Sequence, residues 1–363
     1  MTPVRSPRVA LVASWLNQYG GAERVLEVVH DLFPAAPVFT STYWPAAMPP
    51  GYRDWDIRAS FLDRLPFARQ NQRWLLPLYP AAFESLDLRG YDIILSITSA
   101  FAHGVHVPAG GRHICYCLTP ARFLWNYGEY VERERIGRLP RAILPLFIRS
   151  LRAWDRHAAD RVTRFCAISK KVRERIAACY QRDAAIVYPP VDVERFSISR
   201  APGDYFLILS RLVPYKRIDL AVQAFNALGL PLVIAGNGRD RARLQEKAKP
   251  NVRFLGRVSD GEGRDLLSRC RAFLFPGEED FGITPLEANA SGRPVIAFAG
   301  GGALDSTIEG VTGEFFREPT AAALAQVVSA FDDRKYDPHA IRKHAEKFGV
   351  GVFKEELLDQ MAK

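Results

Sequence analysis

The chain has 363 residues, of which 48% are hydrophobic and 25% are charged, and its net charge is +9. This composition fits a globular protein of about two domains and excludes a largely disordered chain. Neither a run of about 18 apolar residues nor an apolar signal region is visible, and the five cysteines lack zinc or thioredoxin spacing, so we expect reduced thiols in a cytoplasm.

Strand-like and helix-like runs alternate through the first half of the chain, which predicts a parallel α/β sheet. Strands are predicted at residues 8–13, 37–42, 91–98, 113–119, 164–169 and 185–188. Helices are predicted at residues 21–33 and 170–180, and Ser169 is a suitable N-cap for the second. Asp54-Trp55-Asp56 imitates a metal-binding Asp-x-Asp motif, but the prolines and glycine before it indicate a surface loop.

The loop between the first strand and the first helix contains Gly20 and Gly21. Two adjacent glycines let a ligand approach the backbone, and the positive end of the helix that follows can attract an anion. The loop therefore indicates either a ligand-binding turn or a simple tight turn.

The net positive charge lies entirely in the first part of the chain. Residues 1–200 carry 27 basic and 18 acidic residues, whereas residues 201–363 carry 22 of each. A predicted amphipathic helix concentrates this charge in nine arginines, which are Arg133, Arg135, Arg138, Arg141, Arg149, Arg152, Arg156, Arg161 and Arg164. Such a helix suits an anionic membrane surface, or it is a surface helix whose arginines are solvated or paired with acids. The neutral second part argues against a nucleic-acid-binding protein, so no nucleic-acid partner is expected.

A connector follows the first half at Pro189 and Pro190, which can continue neither a strand nor a helix. We therefore place a domain boundary near residue 198. Beyond it, a second parallel sheet is predicted from strands at residues 205–212, 232–236, 252–256, 272–276 and 294–299.

Two basic residues, Arg211 and Lys216, lie between the first strand of the second half and a helix predicted at residues 218–228. Cations at a strand end and beside a helix start form a site for a diphosphate. Further along, Gly236-Asn237-Gly238 resembles the start of a dinucleotide fingerprint, but Arg241 stands where the third glycine is needed. This argues against a nicotinamide oxidoreductase or a sugar epimerase.

The most informative motif runs from residue 276 to residue 288. It begins at the C-terminal end of a predicted buried strand, which is where open parallel sheets bind ligands. The turn at Phe281 and Gly282 exposes backbone N–H groups at a helix N-terminus. Glu279 before the turn and Glu287 about one helical turn after it can both accept hydrogen bonds from the hydroxyls of one ligand.

Together these motifs resemble retaining glycosyltransferase family 4, whose members have the GT-B fold. The matching segments, in the family's order between residues 8 and 316, are Gly20–Glu23, Pro189–Asp192, Ser210–Lys216, Glu279-x₇-Glu287 and Gly292–Ala297. Two further segments, His113–Cys117 and Phe275–Gly282, look most like the mannosyltransferase branch that builds bacterial O-antigens and exopolysaccharides.

The resemblance implies an α/β protein of two Rossmann-like parallel-sheet domains that face each other across a cleft. An acceptor-side domain would span residues 1–198, completed by a C-terminal helix at residues 350–363, and a nucleotide-sugar-binding domain would span residues 199–349. The implied reaction moves a sugar, with mannose from GDP-mannose favoured, to a glycan or lipid-linked glycan acceptor with retention of configuration. It needs no metal or other cofactor, and the enzyme would be cytoplasmic or peripheral on the inner face of the membrane.

The resemblance also implies roles for single residues. Arg211 and Lys216, helped by the amide of Gly21, would bind the donor diphosphate. Glu287 would bind the ribose, and Val258 would line the base pocket. Glu279, with the amides of Phe281 and Gly282, would hold the transferred sugar, and Ile283 would also contact the donor.

One position departs from the family pattern. Relatives usually have His in the segment that here reads Tyr116-Cys117-Leu118-Thr119-Pro120. Either His103 fills that space, as a catalytic candidate beside Glu279, Arg211 and Lys216, or the donor sugar lacks the hydroxyl that the His would contact. The alternatives are therefore a 6-deoxy or other hexose donor, and a protein that binds sugar nucleotides without transferring the sugar.

Overall fold

The computed structural model describes residues 7–65, 72–128, 138–199 and 203–363. Within these ranges the chain forms two units. The first contains the described residues up to 188 together with residues 354–363, and the second contains those from 189 to 353. Each unit is built on its own parallel sheet, which confirms the α/β architecture expected from the alternation of strands and helices.

The first sheet is built from β1 (Val9–Ala13), β2 (Val38–Thr40), β3 (Ile57–Ala59), β4 (Ile93–Thr98), β5 (Arg112–Cys117), β6 (Arg164–Ala167) and β7 (Ala184–Ile186). Its order is β3-β2-β1-β4-β5-β6-β7, and every neighbouring pair is parallel. The central strands β1 and β4 are buried at every position, as expected of strands that are covered on both faces.

The α-helices of the first unit are α1 (Gly21–Leu32), α2 (Tyr79–Glu84), α3 (Arg122–Trp125), α4 (Arg138–Asp160) and α5 (Lys170–Tyr180). Short 3₁₀ helices span Pro45–Ala47, Pro50–Asp54, Phe61–Arg64, Gln72–Leu78 and Ala102–Gly104. The hydroxyl of Ser169 accepts a hydrogen bond from the backbone N–H of Val172, which confirms Ser169 as the N-cap of α5.

The second sheet is built from β8 (Phe206–Leu209), β9 (Leu232–Ala235), β10 (Val252–Gly256), β11 (Phe273–Phe275), β12 (Val295–Phe298) and β13 (Gly313–Phe316). Its order is β10-β9-β8-β11-β12-β13, again with parallel neighbours throughout. Strands β8 and β11 are adjacent, so the loops that follow them leave the sheet side by side.

The α-helices of the second unit are α6 (Ile218–Leu228), α7 (Arg241–Lys247), α8 (Asp260–Arg269), α9 (Ile283–Ala290), α10 (Ala303–Ser306), α11 (Ala321–Ala330) and α12 (Pro338–Glu346), and α13 (Val350–Ala362) ends the chain. The 3₁₀ helices are Val193–Arg195, Pro214–Lys216 and Asp333–Lys335. None of the helices in the described ranges is both long and apolar enough to cross a lipid bilayer.

Each unit has a separate hydrophobic core. In the first, Phe83 and Leu124 pack with the strand residue Ile94. In the second, Phe225 of α6 and Leu324 of α11 are buried in one cluster with the first residue of β8. The covering helices therefore leave the loops at the C-terminal edge of each sheet as the places where functional side chains collect.

The contacts of the connector differ from the boundary that the sequence indicated near residue 198. Residues 189–199 belong to the second unit. The backbone N–H of Val191 donates to the carbonyl of Phe348 (2.8 Å), and the Arg342 guanidinium donates to the carbonyls of Val193 and Phe196. These bonds hold the connector, so the division between the units falls after Tyr188.

The larger part of the C-terminal helix is grouped with the first unit. Residues 354–363 are grouped with that unit, and the Arg112 guanidinium on β5 donates to the carbonyl of Met361 (2.7 Å).

Two short strands, β3 and β13, were not predicted. Strand β3 directly follows Asp54-Trp55-Asp56, and the Asp56 carboxylate pairs with Arg58 on the strand (2.7 Å).

Candidate active site

The candidate site lies at the C-terminal edge of the second sheet, where β8 and β11 end. A pocket there is lined by residues of the two following loops and of the first turn of α9, among them Ser210, Lys216, Gly277, Glu279, Gly282 and Thr284. Four of the predicted donor-binding residues, Lys216, Glu279, Gly282 and Ile283, therefore line one pocket.

Lys216 is placed by a tight turn. Pro214 is the first residue of the 3₁₀ helix Pro214–Lys216, which suits its fixed φ angle. The backbone N–H of Lys216 donates to the carbonyl of Val213 (3.1 Å). Arg217 then adopts a left-handed conformation with φ 52°, so α6 begins immediately after the turn. The turn leaves Lys216 at the sheet edge with its side chain 16% exposed.

Lys216 and Glu279 form an ion pair between the two loops. Both side chains are largely buried, at 16% and 15% exposure, which shields the pair from screening by solvent. An ammonium group has three donor hydrogens, and a carboxylate has about four acceptor positions. Each partner therefore keeps capacity for a ligand while it holds the other in place.

Arg211 and Lys216 are linked through the ring of Tyr215. The Arg211 guanidinium donates to the hydroxyl oxygen of Tyr215 (3.1 Å). The Lys216 ammonium lies over the same ring, 5.4 Å from its centroid, which is within the range of a cation–π contact. Tyr215 was not among the site residues predicted from the sequence. Its position four residues after Arg211 was the one feature of the sequence that could have indicated this contact.

Close backbone contacts between loops fix the shape of the pocket. A Cβ atom on Gly277 would lie 2.7 Å from the backbone oxygen of Tyr215 and 2.9 Å from the Cα of Lys216. On the other side, the backbone N–H of Gly302 donates to the carbonyl of Glu279 (2.9 Å), and a Cβ there would meet the Cα of Phe281 at 2.2 Å. The loop that carries Glu279 is thus held between two neighbouring loops.

Helix α9 starts at this loop. Gly282 precedes it with φ 87° and provides no side-chain cap, so the first N–H groups of the helix have no side-chain partner at that position. The side chain of Phe281 is buried and packs against Phe348 (ring centroids 6.0 Å apart). Glu287 lies one turn into α9 and is 9% exposed. The structure therefore places Gly282, Ile283 and Glu287 on one short helix that begins at the pocket.

Val258 is not among the pocket-lining residues. It follows β10 and is half-buried, and its Cγ2 atom lies against Gly263 of α8. The helix begins next to it with a capping box, in which Ser259 and Glu262 bond each other's backbone N–H groups. Val258 therefore directly precedes the capped start of α8, and its role towards a base stays a prediction.

The Gly20–Gly21 loop lies in the first unit. Gly20 is the N-cap of α1 and, like Gly282, gives no side-chain cap. A separate pocket beside this loop is lined by residues that include Ser14, Glu23, Ser99 and Leu118. Close to the loop, partial burial and the neighbouring Glu27 carboxylate raise the pKa of Tyr19 to about 12, so Tyr19 stays a neutral hydroxyl at physiological pH.

His103 does not lie in an open site, and its assignment as a catalytic residue is corrected on that ground. It is 1% exposed, and its Nε2 atom lies 3.3 Å from Oδ1 of Asp155. Asp155 is fully buried and also accepts hydrogen bonds from Trp125 (2.7 Å) and Tyr180 (2.9 Å). His103 is therefore part of an interior polar cluster that packs α4 against the first sheet.

The donor groups of a metal site do not come together in the residues that the structure describes. No group of three or more His, Cys, Asp or Glu side chains there has the arrangement that a metal ion needs. All five cysteines are buried free thiols, and burial raises the pKa of Cys166 and of Cys270 to about 12. The thiols of Cys166 and Cys270 are therefore not nucleophiles at neutral pH.

Comparison with known proteins places the chain in a family. The family described as "Glycosyl transferases group 1" matches residues 190–348, which include every predicted donor-binding residue of the second unit. A GDP-mannose-dependent alpha-mannosyltransferase of Mycolicibacterium smegmatis is 33% identical over 326 residues, covering 82% of this chain and 81% of that protein. A glycogen synthase of Pseudomonas aeruginosa is 34% identical over 310 residues, covering 78% of this chain.

The chain spans 56% of the length of that glycogen synthase. Among solved structures, HepE of Anabaena in complex with UDP and glucose superposes with a TM-score of 0.73 at 17% identity, covering 99% of this chain and 100% of that chain. At that identity the superposition shows a shared fold, the two-domain GT-B fold, and nothing about the ligand of this chain.

Proposed function

The chain belongs to the family of group 1 glycosyl transferases, and on that premise we propose that it moves a sugar from a nucleotide donor to a glycan acceptor with retention of configuration. Mannose from GDP-mannose is the favoured donor. The observation that carries the proposal is the joining of Arg211, Lys216 and Glu279 at the C-terminal edge of the second sheet. The mannosyltransferase relative at 33% identity supports the choice of donor.

The two cations would stabilise the leaving diphosphate. As the bond from the sugar to the diphosphate breaks, negative charge develops on the phosphate oxygens. Positive groups that are already in place lower the energy of that state without reorganising during the reaction. Arg211 offers a planar fork of donors, and Lys216 offers a point charge that the Glu279 carboxylate orients.

The two glutamates would bind the two other parts of the donor, the transferred sugar and the ribose. Glu279 lines the pocket and would accept hydrogen bonds from hydroxyls of the transferred sugar through acceptor positions that Lys216 leaves open. Glu287, one turn further along α9, would accept hydrogen bonds from the ribose. The backbone N–H groups at Phe281, Gly282 and Ile283 would complete the sugar contacts, and Gly21 would add its amide to the diphosphate site.

The proposed reaction uses no protein nucleophile and no metal. With retention, the leaving phosphate itself takes the proton of the acceptor hydroxyl on the face that it vacates. Arg211 and Lys216 supply the positive charge that a divalent ion supplies in other transferases. The reaction should accordingly proceed in EDTA at its normal rate, and a strict requirement for magnesium or manganese would contradict this part of the proposal.

A 6-deoxy sugar donor is the second candidate, and the pocket of the first unit favours it. Leu118 lines that pocket, where relatives carry a His. His103 was the residue that could have replaced this His, but its ring is enclosed by Asp155, Trp154 and Tyr180. An apolar Leu118 suits a sugar whose neighbouring position carries a methyl group instead of a hydroxymethyl group.

The acceptor is proposed to be a glycan that is presented on a lipid at the inner face of the membrane. The support is the arginine-rich helix α4, whose Arg149 is exposed on a helix that also has an apolar face. A peripheral enzyme would meet a lipid-linked substrate without a membrane span of its own.

A panel of sugar nucleotides tests the function directly. Thermal unfolding is followed with GDP-mannose, GDP-fucose, GDP-rhamnose, UDP-glucose and UDP-galactose. A donor at ~100 times its dissociation constant adds about 2.7 kcal/mol of stability, which is enough to rank the candidates. The same series on Lys216→Ala should show no ranking, whereas Lys249→Ala, at the opposite sheet edge beside Asn226, should behave as wild type.

The result decides between the proposals. Stabilisation by GDP-mannose supports the favoured donor, and selective stabilisation by a 6-deoxy sugar nucleotide supports the second candidate. Binding of a donor without transfer to any extracted lipid-linked glycan would indicate a binding protein. If no sugar nucleotide stabilises the wild-type protein, the proposed function is wrong.

A further inference from the structure

We propose that Tyr215 is a positioning residue of the donor site, because its hydroxyl holds Arg211 and its ring holds Lys216. This inference rests on the proposed function, in which these two cations bind the diphosphate. No motif of the sequence assigns Tyr215 a role. The structure assigns it one through two contacts that use different parts of the same side chain.

The first contact restrains Arg211. This side chain is exposed, and a free arginine has many rotamers, whose loss on binding a ligand opposes affinity. The hydrogen bond from its guanidinium to the Tyr215 hydroxyl (3.1 Å) restricts these rotamers before the ligand arrives. Because the guanidinium has five N–H donors, one bond to Tyr215 leaves the others available for phosphate oxygens.

The second contact restrains Lys216. Its ammonium group lies between the face of the Tyr215 ring, with 5.4 Å to the centroid, and the carboxylate of Glu279. A ring face attracts a cation but accepts no strong hydrogen bond. The ring therefore fixes the position of the ammonium group without using the hydrogens that the diphosphate needs.

The backbone makes Tyr215 rigid enough for this role. It is the middle residue of the 3₁₀ helix Pro214–Lys216, and its carbonyl is packed against Gly277 so closely that a Cβ there would lie at 2.7 Å. A ring on a fixed turn can hold two flexible cations, whereas a ring on a mobile loop would move with them. Tyr215 thus preorganises the positive charge on which the site depends.

The test separates the two contacts with two substitutions. Tyr215→Phe removes the hydroxyl and keeps the ring, so it should weaken GDP or UDP binding about 2- to 10-fold, as expected for one hydrogen bond. Tyr215→Leu also removes the ring and should add a further loss of about 2- to 5-fold. Both constants are measured by titration calorimetry with the full chain, using whichever of the two nucleotides the wild-type protein binds.

A matched control and a double-mutant cycle distinguish positioning from a general structural effect. Tyr205 directly precedes β8, and its hydroxyl donates to the carbonyl of Leu266 in α8 (2.9 Å). Tyr205→Phe removes this hydroxyl and should leave nucleotide affinity unchanged. In an Arg211→Ala background, Tyr215→Phe should cost nothing further, because the guanidinium that it positions is gone. A purely structural role would give the same loss in both backgrounds.

The outcomes are separable from those of the proposed function. Wild-type affinity in Tyr215→Phe, or an equal loss with and without Arg211, overturns the role of Tyr215 while the donor site stands. A wild-type protein that binds neither nucleoside diphosphate removes the proposed function, and the role of Tyr215 falls with it. A loss that depends on Arg211 supports the inference.

Discussion

Lys216 and Glu279 come from two separate sequence motifs, one proposed for the diphosphate and one for the sugar, yet their side chains contact each other. The lysine proposed for the diphosphate and the glutamate proposed for the sugar form an ion pair with each other. Each group then has a partner that lowers the cost of holding a charge in a largely buried place. Substituting either residue should therefore change the behaviour of the other, and the effects on binding and on transfer should differ.

Substituting the two glutamates by glutamine should give opposite results for nucleotide binding. Glu279→Gln removes the carboxylate that occupies Lys216, so GDP or UDP should bind as tightly as to wild type or a few-fold more tightly, while sugar transfer falls strongly. Glu287→Gln removes an acceptor of ribose hydroxyls and should weaken nucleotide binding about 10-fold or more, in line with ~1.5–3 kcal/mol for a hydrogen bond to a charged group. Calorimetry with the nucleotide and a transfer assay measure the two effects.

Glu278→Gln is the matched control for both variants, since it removes a neighbouring carboxylate of the same loop and should change neither quantity much. Equal losses of nucleotide affinity in Glu279→Gln and Glu287→Gln would contradict the division of labour between them.

A buried histidine of the first unit predicts how stability depends on pH. His113 on β5 is fully buried, and its Nε2 atom lies 2.8 Å from the Ser96 hydroxyl. Burial lowers its pKa to about 3. In the unfolded chain the pKa is near 6.5. Between about pH 6.5 and pH 3 the unfolded state therefore binds a proton that the folded state does not bind. The stability from this group is complete above pH 6.5 and is lost as the pH falls towards 3.

Between pH 7 and pH 5 this group should lower the free energy of unfolding by about 2 kcal/mol. In His113→Gln that fall should be smaller by the same amount, whatever the substitution does to stability at pH 7. Urea unfolding at the two pH values measures the difference, and His157→Gln, at an exposed histidine of α4, is the control. An unchanged pH dependence in His113→Gln would show that another group carries it.

At the scale of elements, the site is shaped by loops that approach one another more closely than side chains would allow. Gly277 lies against the turn that carries Tyr215 and Lys216, and Gly302 lies against the loop that carries Glu279. Neither contact involves a charged group. These glycines therefore position the cations and the carboxylate through the backbone alone.

Gly277→Ala should disturb the donor site more than the fold. Its Cβ would lie within 3 Å of backbone atoms of Tyr215 and Lys216, so the 3₁₀ turn must move. We expect a loss of about 1–3 kcal/mol of stability, as for other overpacked positions, together with a loss of nucleotide affinity of about 10-fold. Gly261→Ala in α8, where a Cβ meets nothing within 4 Å, should keep full affinity and gain about 0.5–1 kcal/mol. Normal nucleotide binding by Gly277→Ala would contradict this account of the turn.

The helices that the sequence predicted best are those with clear end signals. Helices α5 and α6 begin and end at the predicted residues. Ser169 caps the first, and Gly229, with φ 71°, ends the second. Strands β3 and β13 were not predicted, and both are edge strands with partly exposed residues.

Part of the candidate site was predictable from the positions of the strands. Residues at the C-terminal ends of parallel strands share one edge of a sheet, so Arg211, Lys216 and Glu279 could be placed near one another from strand positions alone. The role of Tyr215 depends on a tight turn and on the approach of Gly277, which periodicity does not report. The burial of His103 depends on Asp155, which lies 52 residues away in the chain.

At the scale of the whole molecule, the basic charge of the first 200 residues is divided between internal contacts and the surface. Four of the nine arginines are bonded within the first unit: Arg152 donates to Leu124, Arg156 to Cys179, Arg161 to Glu84 and Arg164 to Gln360. Arg149 is exposed. Arg133 and Arg135 lie outside the described residues, and so do the side chains of Arg138 and Arg141. Contacts within the unit therefore hold four of these arginines, whereas Arg149 lies on the exposed surface of α4.

The last prediction is that the arginine-rich helix α4 binds anionic membranes. Each basic residue near such a surface contributes about 1 kcal/mol, so replacing Arg138, Arg141 and Arg149 by Gln should weaken binding to phosphatidylserine vesicles about 100-fold. Replacing Arg156 and Arg164, whose guanidiniums bond within the unit, is the matched control and should have a much smaller effect. Co-sedimentation at rising salt measures both, and binding should fall steeply because screening acts over about 8 Å at physiological ionic strength. If the wild-type protein does not bind anionic vesicles, or if the two sets of variants lose equal vesicle affinity, these arginines serve another purpose.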